Sequence, residues 1–230
     1  MAANPATVAF RTAQTDLVTL AVADLKAFWS TLDLSSPSAV QRALLDFLPD
    51  LVQTYGEIGA ALAADFYEEL RDGSPDVRRL YTAVISDDVV PIAQSQASTR
   101  WALGSLWNPT GTPAEAAAAA LENLAGVTNR LTLIPARDTV RVNVARDPEA
   151  AGWRRVGKGD SCPFCRMLID RGNVYSADTA NFAAHDHCDC LAEPAWGEVE
   201  PVGVLPYIAS KRNPSEADRQ RVREYLRAYR

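Results

Sequence analysis

All cysteines and histidines of this 230-residue chain lie between residues 162 and 190. The four cysteines and two histidines form two groups, CPFC at 162–165 and HDHCDC at 185–190. Two thiolates at CxxC spacing on a tight turn can converge on one zinc ion at about 2.3 Å. The residues between the groups suffice for a turn and a strand that bring the second group back to the first. This spacing predicts a metal site.

Several residues compete for the four positions of a tetrahedral site: Cys162, Cys165, His185, Cys188 and Cys190, with His187 as a sixth candidate. Because four protein ligands close a zinc ion against water, we predict a structural zinc rather than a catalytic one. Two alternatives stay open at this point. The cysteines form one or two disulfides, or they are reduced and buried without a metal.

Two other cysteine chemistries fit the sequence less well. A thioredoxin-like redox pair needs a long following helix in a βαβ frame, whereas RMLID at 166–170 is too short before Arg171 and Gly172. A zinc deaminase places its HxE element before PCxxC, whereas here the histidines follow and the glutamate is missing from HDH. We therefore expect neither activity.

Hydrolytic chemistry is a further hypothesis. A serine protease would combine Ser161 or Ser176 with His185 and Asp186, all inside the proposed metal module. A His-metal nuclease would use His185 or His187 as general base, but the sequence has no further histidine to hold the catalytic ion. Both remain alternatives to the non-enzymatic role that we expect.

The sequence of residues 1–148 predicts a helical domain. Apolar residues recur every three or four positions between residues 36 and 72. Ser36 and Pro37 are typical of a helix start, and Pro49 predicts a kink or two successive helices.

A second helix start lies further along this domain. Thr112 and Glu115 predict a capping box before an alanine-rich helix, which we expect to end or bend near Gly126. The segment 138–147 is ambiguous between helix and strand, because its valines alternate.

A change in residue composition predicts a small α+β module over residues 149–200. GWRRV, NVYS and CDCLAEPAW have the composition of strands, separated by glycines and prolines. A module of about 50 residues rarely buries enough apolar surface to be stable without a disulfide or metal cross-link. The cysteine and histidine cluster lies where such a cross-link would be useful. With a linker and basic helix over 201–230, the fold class is mainly α.

The charge distribution suggests two kinds of partner. The net charge is -6, and the acidic excess lies in residues 1–100. Arg219, Arg223, Arg227 and Arg230 recur at helical spacing and are candidate nucleic-acid contacts. Such a stripe is more often a solvated helix face.

No stretch approaches the roughly 20 uncharged apolar residues that span a bilayer. The first residues also lack the basic and apolar regions of a secretory signal. We therefore expect a protein made in the host cytoplasm, with no membrane contact.

The cysteine module resembles a known family. GWRRVGKGDSCPFCRMLIDRGNVYS followed by HDHCDCLAEP is similar to the C-terminal module of the phage Mu F family of minor head proteins, in versions from tailed phages of actinobacteria. The resemblance covers roughly residues 150–196. It is carried by these matching positions: Trp153, Asp160, Cys162, Pro163, Cys165, Gly172, Val174, Tyr175, His185, Cys188, Cys190 and Pro194.

This resemblance implies a minor capsid protein that is needed for head morphogenesis or DNA delivery. Such a protein lies in the interior of the virion head, in few copies, near the portal. Its expected partners are the portal protein or other capsid proteins, and packaged DNA. Proteins of this appearance are sometimes labelled capsid maturation proteases, which keeps that alternative open.

Overall fold

The computed structural model describes residues 4–87, 90–158, 161–172, 175, 182, 184–197 and 216–227. Within the last range, the side chains of 218, 219, 221, 222, 225 and 226 fall outside this description. The architecture is mainly helical with one small sheet, which confirms the predicted fold class.

The described elements follow one another in this order: α1 Pro5–Trp29, α2 Pro37–Asp72, α3 Ile92–Ala102 with a 3-10 turn Leu103–Leu106, α4 Pro113–Thr132, α5 Ile134–Arg146, β1 Ala150–Val156, α6 Pro163–Ile169, β2 Leu191–Trp196 and α7 Glu216–Arg227. No helix among the described residues is both long and apolar enough to cross a membrane.

Local signals fix where the helices begin. The predicted capping box is confirmed, because Thr112 and Glu115 satisfy each other's backbone amides at the start of α4. At α1 the Asn4 side chain accepts a hydrogen bond from the Ala6 amide at 3.0 Å. Ser36 occupies the N-cap of α2, but its side chain makes no capping hydrogen bond. Pro37 alone therefore supplies the local start signal there.

Two local break signals, Pro49 and Gly126, do not end their helices. Pro49 lies inside one continuous helix, α2, between the buried residues Leu48 and Leu51, so the two-helix alternative is wrong. Gly126 lies inside α4, which continues to Thr132, so the expectation that the helix ends near Gly126 is wrong. The ambiguous segment 138–147 falls almost entirely within α5.

The alternating valines of this segment also contain a helical pair. Val140 and Val144, four positions apart, are both buried on one face of α5, whereas Val142 is only partly buried. The helical spacing therefore decides the conformation.

The small sheet has two antiparallel strands. β1 pairs with β2 so that Trp153 lies opposite Pro194 and Val156 opposite Leu191. GWRRV and the LAEPAW part of the third segment are therefore strands as predicted. Of NVYS only Tyr175 is described, and it bridges Trp153.

One hydrophobic cluster joins the sheet to the helices. It combines Phe10 of α1 and Tyr67 of α2 with Trp153 of β1 and Leu191 of β2. A second cluster lies wholly between helices and includes Leu25, Leu44, Leu103 and Leu124. The sheet therefore packs directly on the helical body. The division at residues 148 and 200 stays a prediction.

A buried polar network connects the same parts. Asp147, which caps the end of α5, accepts hydrogen bonds from Arg71 Nε at 2.7 Å, Tyr67 Oη at 3.1 Å and Trp196 Nε1 at 3.1 Å. The side chains of Arg71 and Asp147 are 2% and 0% exposed. This carboxylate therefore links α2, α5 and the end of β2.

Candidate metal centre

The first pair of candidate ligands lies at the start of α6. Cys162 is the N-cap, and its Sγ accepts a hydrogen bond from the Cys165 amide at 3.5 Å. Pro163 fills the first helical position, where its missing amide hydrogen costs nothing. The turn therefore presents both thiols on the same side.

The second pair comes to the first at ligand distances. Cys188 Sγ lies 3.9 Å from Cys162 Sγ and 3.6 Å from Cys165 Sγ. The sulfur atoms of Cys162, Cys165 and Cys188 are all within 4.8 Å of one another. Sulfurs in a tetrahedral zinc site with bonds of about 2.3 Å are about 3.8 Å apart, so these thiols fit one ion.

Two residues compete for the fourth position. Cys190 Sγ lies 3.3 Å from Cys165 Sγ, and the residue is fully buried. His185 Nδ1 lies 3.9 Å from Cys162 Sγ at the exposed edge of the cluster, beside the ring of Phe164. The structure thus brings Cys162, Cys165 and Cys188 within 4.8 Å of one another, with Cys190 in contact with Cys165 and His185 in contact with Cys162.

A cleft of about 510 Å³ separates α1 from the cluster. Cys162, Cys165, His185 and Cys188 line this cleft, whereas Cys190 does not. A site completed by Cys190 would therefore be closed on its inner side and bordered by the cleft on its outer side.

Two buried arginines surround the CDC segment. Arg137 of α5 donates hydrogen bonds to the carbonyl oxygens of Cys188 at 3.0 Å and of Cys190 at 3.0 and 3.1 Å. Arg155 of β1 donates to Cys190 Sγ at 2.9 Å. Both guanidinium groups also lie over the ring of Phe182. The cluster is therefore embedded in positive charge that matches thiolate ligands.

The same contacts shift the pKa values of the cysteine thiols. Hydrogen bonds from Cys165 and Cys188, aided by the charges of Arg155 and Arg137, lower the pKa of the Cys190 thiol. Hydrogen bonds to Cys188 and Cys190, together with burial, raise the pKa of Cys165. Burial lowers the pKa of Arg137 to about 10, which the negative charge of Cys190 opposes. The charges of Arg155 and Arg137 therefore favour the thiolate form of Cys190.

The remaining residues of HDHCDC contact α4 and the segment that follows β1. Asp186 Oδ1 accepts a hydrogen bond from Arg130 Nε at 2.6 Å, and Asp189 pairs with Lys158 at 2.8 Å. His187 Nε2 lies 3.6 Å from Glu122 Oε1 and is not part of the sulfur group. The sixth candidate of the sequence thus packs on a helix.

Sequence reasoning missed the residues that hold this loop. Gly126 of α4 allows the close approach, because a Cβ there would lie 2.5 Å from His187 Nε2 and 2.9 Å from Asp186 Cβ. The sequence did contain a signal for this contact, because a single glycine inside a run that otherwise favours a helix can mark a close approach. Arg137 gave no signal, since its neighbours Ala136 and Asp138 do not reveal which carbonyls it will meet.

The alternative catalytic sets are not assembled among the described residues. Ser161 Oγ donates to the Lys158 carbonyl at 2.7 Å rather than to His185. Asp186 is bonded to Arg130. Ser176 lies outside the described residues.

The tail arginines are described in part. Arg223 and Arg227 are exposed on α7, and Arg223 forms an ion pair with Glu216 at 2.5 Å. Arg230 and the side chain of Arg219 lie outside the described residues. Contact with nucleic acid stays a prediction.

Comparison with known proteins gives one family. A family model described as VG15 protein matches residues 1–209. No curated protein and no solved structure gives a significant match.

Proposed function

Because this chain belongs to the VG15 protein family, a phage gene family, we propose that it is a minor capsid protein whose cysteine module is closed by a structural zinc ion. The protein acts inside the head near the portal, in head assembly or DNA delivery. The observation that carries the proposal is the convergence of cysteine sulfurs from α6 and from the segment before β2.

The donor set supports zinc. Thiolates are soft ligands that favour zinc, and Cys162, Cys165, Cys188 and Cys190 form a largely buried group. Cys190 is the better fourth ligand because Arg155 already stabilises its thiolate. When bound, the ion supplies a cross-link between α6 and the start of β2. The protein residues order the loop and neutralise the thiolate charge.

The virion role rests on the module and on the phage family together. The module has the CPxC and HxxCxC pattern of Mu F minor head proteins, and the family model extends over most of the chain. The acidic helical body suits docking on another protein, for which the portal is the proposed partner. Packaged DNA is a second proposed contact, through the basic tail.

The zinc proposal is tested by metal analysis of the purified chain. We expect one zinc per chain by mass spectrometry, and its loss in Cys165→Ser. Ser161→Ala is the matched control, since Ser161 is a small buried neighbour that bonds a carbonyl. Absence of metal in the parent chain would overturn the zinc site. A disulfide found there by peptide mapping would identify what replaces it.

The virion proposal is tested on purified particles. Quantitative mass spectrometry should find the chain in few copies per particle, and cross-linking in intact heads should join it to the portal protein. The Ser161→Ala particles should process their capsid proteins normally, because the geometry gives that hydroxyl no catalytic partner. Absence from mature particles and from assembly intermediates would contradict the proposal.

A further inference from the structure

We propose that α4 positions the metal-binding loop, so that the helical body sets the affinity of the cysteine site for its ion. The contact is a seat on α4 formed by Glu122, Gly126 and Arg130. This inference rests on the proposed zinc site and adds a role for residues that bind no metal themselves.

The first support is the ion pair between Arg130 and Asp186. Arg130 Nε lies 2.6 Å from Asp186 Oδ1, and Arg130 Nη2 donates to Ser98 Oγ at 3.1 Å. The guanidinium is therefore held from α3 as well as from the loop. The two side chains are 20% and 27% exposed, so solvent screens them less than a fully exposed pair.

The second support is the fit of the loop against Gly126. This residue lies one helical turn before Arg130, on the same face of α4. A Cβ at Gly126 would lie 2.5 Å from His187 Nε2 and 2.9 Å from Asp186 Cβ. A larger residue therefore requires the half-exposed His187 ring to rotate and Asp186, whose Cβ is close to the backbone, to move away from the helix.

The seat influences the positions of the metal ligands because only a short stretch of chain separates Asp186 from them. Asp186 directly follows His185 and precedes Cys188 by two residues. Fixing Asp186 on α4 restricts where the Cys188 thiol can point before an ion binds. Removing residues that orient metal ligands typically weakens metal binding about 10–100-fold.

The test compares zinc dissociation constants of full-length variants by competition with a chromogenic chelator. We expect Arg130→Ala to raise the dissociation constant about tenfold and to shift the absorption bands of the cobalt-substituted protein. Arg130→Lys should keep more of the zinc affinity than Arg130→Ala, because lysine keeps the positive charge but lacks the planar guanidinium group. Arg100→Ala, which removes an exposed arginine of α3, is the control and should change neither readout.

Gly126→Ala separates positioning from general stability. In a helix interior alanine is favoured over glycine by about 1 kcal/mol. A purely structural role therefore predicts unchanged or higher helix stability with normal zinc affinity. The proposed role predicts weaker zinc binding in this variant, with the helices retained by far-UV circular dichroism.

The outcomes distinguish this inference from the zinc proposal. A parent chain without metal overturns both. A parent chain with zinc, and unaltered affinity and cobalt spectrum in Arg130→Ala and Gly126→Ala, overturns only the role of the seat. Should Arg130→Ala fail to fold, Asp186→Asn removes the same ion pair from the loop side, and unaltered zinc affinity there overturns the inference equally.

Discussion

Arg137 places a guanidinium in the interior beside the cysteine cluster. The residue is 3% exposed, and among its described contacts are the carbonyls of Cys188 and Cys190 but no carboxylate. A buried cation needs a compensating charge. In the proposed metal site, thiolates around a divalent ion would carry net negative charge and supply this compensation, so that Arg137 and the cluster would stabilise each other.

Replacing Arg137 by methionine should destabilise the protein. The change leaves two buried carbonyl oxygens without their donor, and each such group costs about 1–3 kcal/mol. We expect the free energy of unfolding in urea to fall by about 3 kcal/mol. Arg146→Met on the same helix replaces an exposed arginine and should change it by less than about 0.5 kcal/mol. An Arg137→Met variant as stable as the parent would show that those carbonyls find other donors.

The fourth ligand gives a second prediction at the level of single residues. Cys190 is buried among the other thiols, whereas His185 contacts the cluster at its edge. We expect Cys190→Ser to lose zinc from the purified protein and His185→Asn to retain it. Metal content with extended X-ray absorption fine structure would count the sulfur ligands. Retention by Cys190→Ser and loss by His185→Asn would reverse the assignment.

Among the elements, α4 carries both a strong local signal and a long-range contact. Its start is specified by residues adjacent in sequence, Thr112, Pro113 and Glu115. Its contact with the loop depends on residues about 60 positions apart, such as Gly126 and Asp186. Neighbouring residues therefore determine where α4 begins, whereas residues far away in the sequence determine what α4 packs against.

The capping box should make a measurable contribution to stability. Thr112→Ala leaves the Glu115 amide without its side-chain acceptor, which we expect to lower the free energy of unfolding by about 1 kcal/mol. Thr110→Ala, an exposed threonine just outside the helix, is the matched control. Equal stabilities of the two variants in urea would contradict the role of the box.

Sequence patterns could predict what depends on neighbours in the chain. Helical stripes, the start of α4, two strands and the candidate thiols all follow from residues within one or two turns of each other. Pro49 inside α2 and Gly126 inside α4 could not be judged in this way, because the packing of distant segments decides whether a helix continues. The partners of Asp186 and His187 were missed for the same reason.

At the scale of the whole molecule, the helical body and the sheet share structure. Trp153 and Leu191 lie in the same cluster as Phe10 and Tyr67, and Asp147 joins Trp196 to Arg71. Burial alone would raise the pKa of Asp147, but hydrogen bonds from Arg71, the Glu149 amide, Trp196 and Tyr67 outweigh it and lower the pKa. The ionised carboxylate is therefore a stabilising link.

This link predicts loss of stability in acid. A carboxyl group with a lowered pKa in the folded state contributes stability above its unfolded pKa of about 3.9. That contribution disappears as the pH falls through the folded value. Asp147→Asn should unfold more easily at neutral pH by about 3 kcal/mol and show a flatter dependence below about pH 5. Asp46→Asn, on the exposed side of α2, should follow the parent curve.

Metal removal should affect the helices as well as the module. Because the sheet packs on α2 and α5, chelation should lower the midpoint of the whole helical unfolding transition followed by far-UV circular dichroism. Restoring zinc should restore the midpoint. A helical transition unaffected by the chelator would show that the module unfolds independently.

The shared cluster has a consequence for the order of events on the ribosome. α1, α2 and α5 leave the exit tunnel before Leu191 and Ala192, which complete their hydrophobic cluster. Arg137 likewise emerges long before the carbonyls of Cys188 and Cys190 that it bonds. The apolar surface of these helices and the Arg137 guanidinium therefore stay exposed on the nascent chain until β2 has been synthesised.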